Sequence, residues 1–210
     1  MPHWKPTSDW EGCDVFIIGG GDSLRKFDWS LLKDENTIGC NSAFTLGAEI
    51  CKICLFGDSK WFRKFERELA QYKGVVFTNA PQMFNTKVPW VWTMPREIIG
   101  LHVNALGWNE NTGASAINLA LILGAQKIFL LGFDMHLSNN GKPNWHNKVM
   151  QKPVKGVYPK MLKAFRYVVR DLKSKFPGKK IINVTDDSNL NCFPKIGCKR
   201  FWQERKKVSA

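Results

Sequence analysis

The chain has 210 residues, 44% hydrophobic and 23% charged, with a mean hydropathy of −0.27. This is the make-up of a folded globular protein and excludes disordered and collagen-like classes, and no apolar run approaches the roughly 20 residues of a membrane span. The formal charge of +13 is one-sided: residues 1–141 hold 13 Lys and Arg against 14 Asp and Glu, whereas residues 142–210 hold 18 against 4. Such a skew points to an extended anionic partner, either nucleic acid or an acidic membrane surface, more than to a small anionic substrate.

In chain order, the N-terminus "MPHWKPTSDW" lacks the apolar core of a signal peptide, so a cytoplasmic location is expected. Short apolar runs follow at 14–19, 36–41, 52–58, 74–79, 127–134 and 180–186, most of them ending in Gly, Asn or Asp. They read as strands buried on both faces. Helical patterns stand between them at 23–33, 59–72, 113–125 and about 158–175. The alternation predicts an α/β domain over 1–210: a Rossmann-like, doubly wound and mostly parallel sheet.

Two segments fall outside the alternation. Residues 80–97 are rich in Pro and Trp, and Trp90 and Trp92 suit either stacking on a ligand or covering a sheet edge. Residues 135–157 are long, polar and basic, and read as a lid over the carboxyl ends of the strands, leading into the basic region 142–210. The six cysteines fit neither a zinc spacing nor a disulfide framework and read as buried thiols; Cys51 and Cys54 are expected on opposite faces of a strand.

In such sheets ligands bind beyond the carboxyl ends of the strands, where Gly19, Gly20, Gly21, Asp22, Ser23, Asn41, Ser42, Asp58 and Asp134 gather. The stretch "VFIIGGGDSL" offers Gly19 and Gly21 of a dinucleotide fingerprint, but Leu24 stands where its third glycine belongs. The second strand ends in Asn41 rather than an acidic residue, and no Gly-Lys-Ser/Thr follows the turn. A nicotinamide site and a Walker loop are therefore both excluded. What remains is a tight turn whose amides, with the N-terminus of the next helix, can face a phosphate.

"IIGGGDSLRKFDWSLL", "GCNSAF", "TGASAINLALILGAQKIFLLGFDM" and "INVTDDSNLNCFP", in that order, resemble the bacterial family 42 sialyltransferases and their bacterial and phage relatives. The resemblance implies a nucleotide-sugar-dependent glycosyltransferase, inverting and metal-independent, with the sugar nucleotide as substrate and no cofactor. It implies donor contacts from the glycines, Asn41, Thr112, Gly113, Asp134, Asp187 and Ser188. It places His146 as general base, an imidazole of ordinary pKa about 6.5 being able to accept a proton at neutral pH. His136 and Lys142 fall where the family keeps two phosphate-steadying tyrosines, with Tyr158 a further residue near the phosphate.

The turn carries Asp22 where the family has a proline, so a donor other than cytidine monophosphate-sialic acid stays open. The charge makes a hydroxymethylated DNA base in a phage-type system one expected acceptor and a glycolipid on an anionic membrane the other. A pterin diphosphokinase, needing ATP and Mg²⁺, and a non-catalytic nucleic-acid-binding module are the remaining alternatives.

Overall fold

A computed structural model of the chain describes residues 1–5, 9–146 and 156–208. Among the described residues are nine strands: β1 (Asp14–Ile18), β2 (Asn36–Cys40), β3 (Ile53–Phe56), β4 (Val75–Thr78), β5 (Val91–Trp92), β6 (Arg96–Glu97), β7 (Leu106–Gly107), β8 (Lys127–Leu131) and β9 (Lys180–Asn183). Seven of them form one parallel sheet in the order β5-β4-β3-β2-β1-β8-β9, and β6 and β7 pair separately. All six expected strands exist, at narrower limits. The chain winds outward from β1 to β5 and then returns to place β8 on the other side of β1. The strand order therefore reverses between β1 and β8, which opens a crevice at their carboxyl ends.

Both faces of the sheet are covered, which explains the continuous apolar strands. Val15 and Ile17 of β1 belong to one core, with α2 (Thr112–Ile122) and α3 (Val157–Lys175). Phe16 and Ile18 belong to the other, with α1 (Ser59–Gln71) and α4 (Cys198–Val208). Helix α1 is amphipathic and buries Trp61, Phe62, Phe65 and Leu69. Every residue of α2 from Gly113 to Ile122 is buried, so it carries no polar face.

The helical pattern at 23–33 is two 3-10 turns, Asp22–Lys26 and Trp29–Leu32, separated by extended backbone at Phe27 and Asp28. Asp28 supplies the break, its carboxylate accepting hydrogen bonds from Ser30 N (3.1 Å) and Ser30 Oγ (2.6 Å). A five-residue 3-10 turn has little of the aligned amide dipole that the phosphate reading of this turn relied on.

The end of the basic region is also folded. Helix α4 packs Trp202 on Phe16 (ring centroids 5.4 Å apart) and Phe201 on Phe129 (4.7 Å). Arg205 bridges Asp14 (2.7 Å) and Glu35 (2.8 Å). Cys198, Phe201 and Trp202 share one side of the helix with Arg205 a turn beyond, but three apolar residues are too short a pattern to tell the segment from a basic tail.

Strand β5 adds an edge to the sheet, and Trp90 lies against Phe62 (5.8 Å). Both tryptophans therefore stand at the sheet edge. All six cysteines are free thiols, but only Cys40, Cys51 and Cys54 are buried as expected; Cys13 and Cys198 are half-buried and Cys192 is exposed. Burial pushes Cys40 up to about 12, Cys51 up to about 11 and Cys54 well above the ordinary thiol value. Cys51 and Cys54 share one core, because Cys51 precedes the strand that begins at Ile53. Among the described residues no helix is long and apolar enough to cross a membrane.

Asp171 of α3 anchors the segment between β6 and β7. Its burial works against the charge, but hydrogen bonds from Arg170 (2.6 Å), Leu101 N (2.9 Å) and Lys175 (3.1 Å) outweigh it and hold its pKa at about 2. A depressed carboxyl pKa contributes stability above the unfolded value, near 3.9, and loses it as pH falls through the folded one. Asp171→Asn should therefore lower the urea midpoint at pH 6, and its difference from wild type should shrink steadily between about pH 4 and pH 2. A difference independent of pH would show that the charge is not what holds the segment.

Candidate active site

The carboxyl ends of the strands open into a cavity of about 480 Å³. Gly19, Gly20 and Gly21 close it after β1, Asn41 and Ser42 after β2, Asp58 after β3, and Phe133 to His136 after β8. The first turns of α2 and α3 supply Thr112, Gly113, Val157 and Tyr158, and the middle of the expected lid supplies Asn144 and His146. Residues 147–155 of that lid lie outside the described residues.

The glycine turn is already engaged within the protein. Gly19 N donates to Leu131 O (2.8 Å), Gly21 N to Gly132 O (2.9 Å) and Ser23 N to Asp134 Oδ2 (2.9 Å). Ser23 Oγ adds a second bond to Asp134 Oδ1 (2.5 Å). These bonds sew the end of β1 to the end of β8 across the crevice. Gly21 has no room for a side chain, since a Cβ there would lie 2.1 Å from Asp134 Oδ1. The missing third glycine is also explained: Leu24 packs onto Gly132, which has a left-handed backbone (φ +69), so the close approach is made from the β8 side.

Asp134 is 4% exposed, and burial raises its pKa despite the two bonds from Ser23. It acts as a brace of the cavity wall, tying Ser23 to the end of β8.

Of the glycines, Gly20 has the most open side; an added Cβ would meet only Asn144, at 3.7 Å. The carbonyls of the turn face the lid. Trp145 N donates to Gly20 O (3.1 Å) and Trp145 Nε1 to Gly19 O (3.0 Å), and its ring lies against Trp29 (5.0 Å). Arg25 Nη2 adds a bond to Asn144 O (2.6 Å). These contacts clamp residues 144 and 145 to the turn and hold His146, edge-on to Trp145 at 4.9 Å, at the cavity. Trp145 was not singled out from the sequence. Its signal was only its place next to His146 in "PNWHNK".

His136 stands at the rim. Its Nδ1 faces Leu137 O (2.7 Å) and its Nε2 faces Asp187 O (3.2 Å) and Asp187 Oδ1 (3.3 Å). Acceptors on both nitrogens favour the doubly protonated ring. The Leu137 carbonyl is the largest cause and, with Asp187 and Asp134, it outweighs burial and raises the pKa of His136 above the ordinary value. The shift favours the protonated ring beside the cavity. Tyr158 faces the same space with its pKa raised by burial and then by Asp134.

Other expected site residues have different surroundings. Asp58 lines the cavity while its carboxylate caps α1 through Lys60 N (2.7 Å) and Trp61 N (3.3 Å). Thr112 and Gly113 begin α2, whose cap is Asn111, bonded to Ala114 N (3.1 Å). Asp22, Ser23, Lys142, Asp187 and Ser188 are not among the cavity's lining residues. Asp22 pairs with Arg25, and Lys142 closes an exposed turn with Ser138. Ser188 is buried and donates to Phe133 O (2.6 Å), so it braces the β8 loop from behind.

Backbone strain gathers here too. Asn41 (φ 51) and Met135 (φ 59) line the cavity in the left-handed region, and Asn109 (φ 54) and Glu110 (φ 49) precede the cap of α2. Each such residue costs on the order of 1 kcal/mol or more and clusters at ligand sites when the surrounding structure holds it. Among the described residues no group of three or more His, Cys, Asp and Glu is placed to hold a metal ion.

Comparison with solved structures finds this architecture in the sialyltransferases of Campylobacter jejuni. The sialyltransferase CstII in complex with cytidine-5'-monophosphate matches with a TM-score of 0.53 and 17% identity over 93% of this chain and 86% of that one. The chain shares the fold of these enzymes. CstII with a trisaccharide acceptor and CMP matches at 0.53 and 16% identity over 87% of this chain and 85% of that one. The monofunctional alpha-2,3-sialyltransferase Cst-I matches at 0.55 and 14% identity over 93% and 94%. No family model and no curated protein sequence matches the chain.

Proposed function

We propose that the chain is a nucleotide-sugar-dependent glycosyltransferase that works with inversion and without a metal. The observation that carries this reading is the cavity at the β1/β8 crevice, which brings His146, His136 and the first turn of α2 together in a fold whose solved examples hold cytidine monophosphate or a substrate analogue.

In the proposed reaction an acceptor hydroxyl oxygen attacks the anomeric carbon while the bond from that carbon to the donor phosphate oxygen breaks. The hydroxyl proton passes to the His146 imidazole. The nucleotide leaves with the bonding electron pair. Its phosphate charge is met by the His136 imidazolium and the α2 N-terminus, with Tyr158 facing the same space. His136 supplies this charge below its raised pKa and loses it as pH rises through that value.

For the acceptor we favour a saccharide hydroxyl. The DNA-base reading rested on charge alone, and much of that charge now belongs to the outer faces of α3 and α4, with Arg205 bonded to Asp14 and Glu35. Nothing at the cavity adds to the nucleic-acid reading.

A thermal-shift screen across sugar nucleotides, ATP and NAD, each with EDTA and with Mg²⁺, tests the proposal. A sugar nucleotide at one hundred times its Kd should stabilise the protein by about 2.7 kcal/mol in either condition. A shift seen only with ATP and Mg²⁺ would favour a diphosphokinase instead, and EDTA abolishing transfer would remove the metal-independent reading.

A further inference from the structure

Residues 98–105, between β6 and β7, take no part in the cavity, yet buried polar side chains from elsewhere hold their backbone. Asn109 accepts from Gly100 N (2.7 Å) and donates to Gly100 O (3.1 Å). Asp171 accepts from Leu101 N (2.9 Å), and Asn118 bonds both His102 N (3.1 Å) and His102 O (2.8 Å). Lys175 Nζ reaches Leu101 O (2.7 Å). A loop fixed at three successive residues is not a floppy connector.

What this loop presents is apolar. Ile98 is 68% exposed, Ile99 44% and Val103 55%. Single exposed hydrophobics are ordinary, but three within six residues on a braced backbone form a patch. Beside the patch runs α3, with Gly100 packed on Asp171 and the Arg170 guanidinium. The outer side of α3 exposes Lys163, Arg166, Arg170 and Lys173 at helical spacing. Residues 156–180 contain eight Lys and Arg and a single acid, and that acid is the buried Asp171.

We propose that this loop and the outer face of α3 form a docking surface for an anionic lipid bilayer. Ile98, Ile99 and Val103 enter the boundary between headgroups and acyl chains, while Lys163, Arg166 and Lys173 lie among the lipid phosphates. A bilayer surface takes both features together, apolar contact and negative charge. Nucleic acid would take up mainly the charge, since its phosphate backbone leaves a broad aliphatic patch without an apolar partner. A second copy of the chain would set one basic face against another. Lys163 follows Val157 of the cavity wall by six residues, so the surface begins roughly 10 Å along α3 from the cavity. The proposal does not depend on the transferase reading.

Co-sedimentation of the full chain with vesicles of phosphatidylcholine alone and of phosphatidylcholine with phosphatidylglycerol tests it. Binding is expected only to the mixed vesicles and should weaken with salt. Ile98→Ser with Val103→Ser should lower the partition coefficient about tenfold. Arg166→Glu with Lys173→Glu should lower it about tenfold or more, and both variants should melt like the wild type. Three results would overturn the proposal: a serine variant that partitions like the wild type, duplex DNA bound in preference with vesicles failing to compete, or a serine variant whose only change is in sedimentation coefficient. The last would make the patch a contact between copies of the chain.

Discussion

Replacing His146 by Ala is expected to lower donor-dependent transfer about 100-fold or more while leaving nucleotide binding nearly unchanged. The basis is position: His146 is the imidazole held at the cavity by the turn that opens the crevice, and Trp145 does the holding through Gly19 O and Gly20 O. Trp145→Phe keeps a ring against Trp29 but removes the indole donor to Gly19 O. It should lower kcat by about tenfold, the cost of one lost hydrogen bond, with little change in donor affinity. The two variants together separate a proton acceptor from its support. In His146→Ala the remaining rate should lose the acid limb, where the proton acceptor would be protonated, and keep only the alkaline fall that follows His136, whereas Trp145→Phe should keep the wild-type profile at a lower rate. Initial rates at saturating donor decide it: turnover by His146→Ala within tenfold of wild type would move the base to another residue.

Much of the fold could be read because both faces of the sheet are covered. Each buried strand is then an uninterrupted apolar run, and six such runs between helical patterns leave few topologies. The elements that escaped were those too short to show a period: the two-residue strands β5, β6 and β7, and α4, whose apolar face is only Cys198, Phe201 and Trp202.

The site was legible where its residues end strands and obscure where tertiary contacts decide a role. Asp134 reads from the sequence as a ligand contact, but its carboxylate turns back onto Ser23, a partner 111 positions away. Ser188 likewise turns to Phe133 O. His136 could be placed near the site by resemblance, yet its raised pKa comes from the Leu137 and Asp187 carbonyls, which no local pattern reveals. Trp145 carries no periodic signal, because its value lies in two carbonyls of a turn more than 120 residues earlier.

Gly21→Ala should destabilise the protein by about 2–3 kcal/mol, measured by urea unfolding. The backbone there, at φ −57 and ψ 146, suits any residue, so the whole effect is steric. The new methyl would meet the Asp134 carboxylate at 2.1–2.7 Å and drive it from Ser23, leaving a buried acid without its partners. Gly20→Ala is the control, because its Cβ finds nothing nearer than Asn144 at 3.7 Å, and its stability should stay within about 0.5 kcal/mol of wild type. The pair also distinguishes two accounts of the glycine turn. If the turn is a phosphate cradle, Gly21→Ala should weaken donor binding at little cost in stability. If it is the brace between β1 and β8, the loss is in stability, and Asp134→Ala should absorb most of it: in the double variant Gly21→Ala costs little more, because the carboxylate it would strike is gone. Additive losses in that cycle would mean that the methyl strikes something other than Asp134, and the brace would have to be sought elsewhere in the crevice.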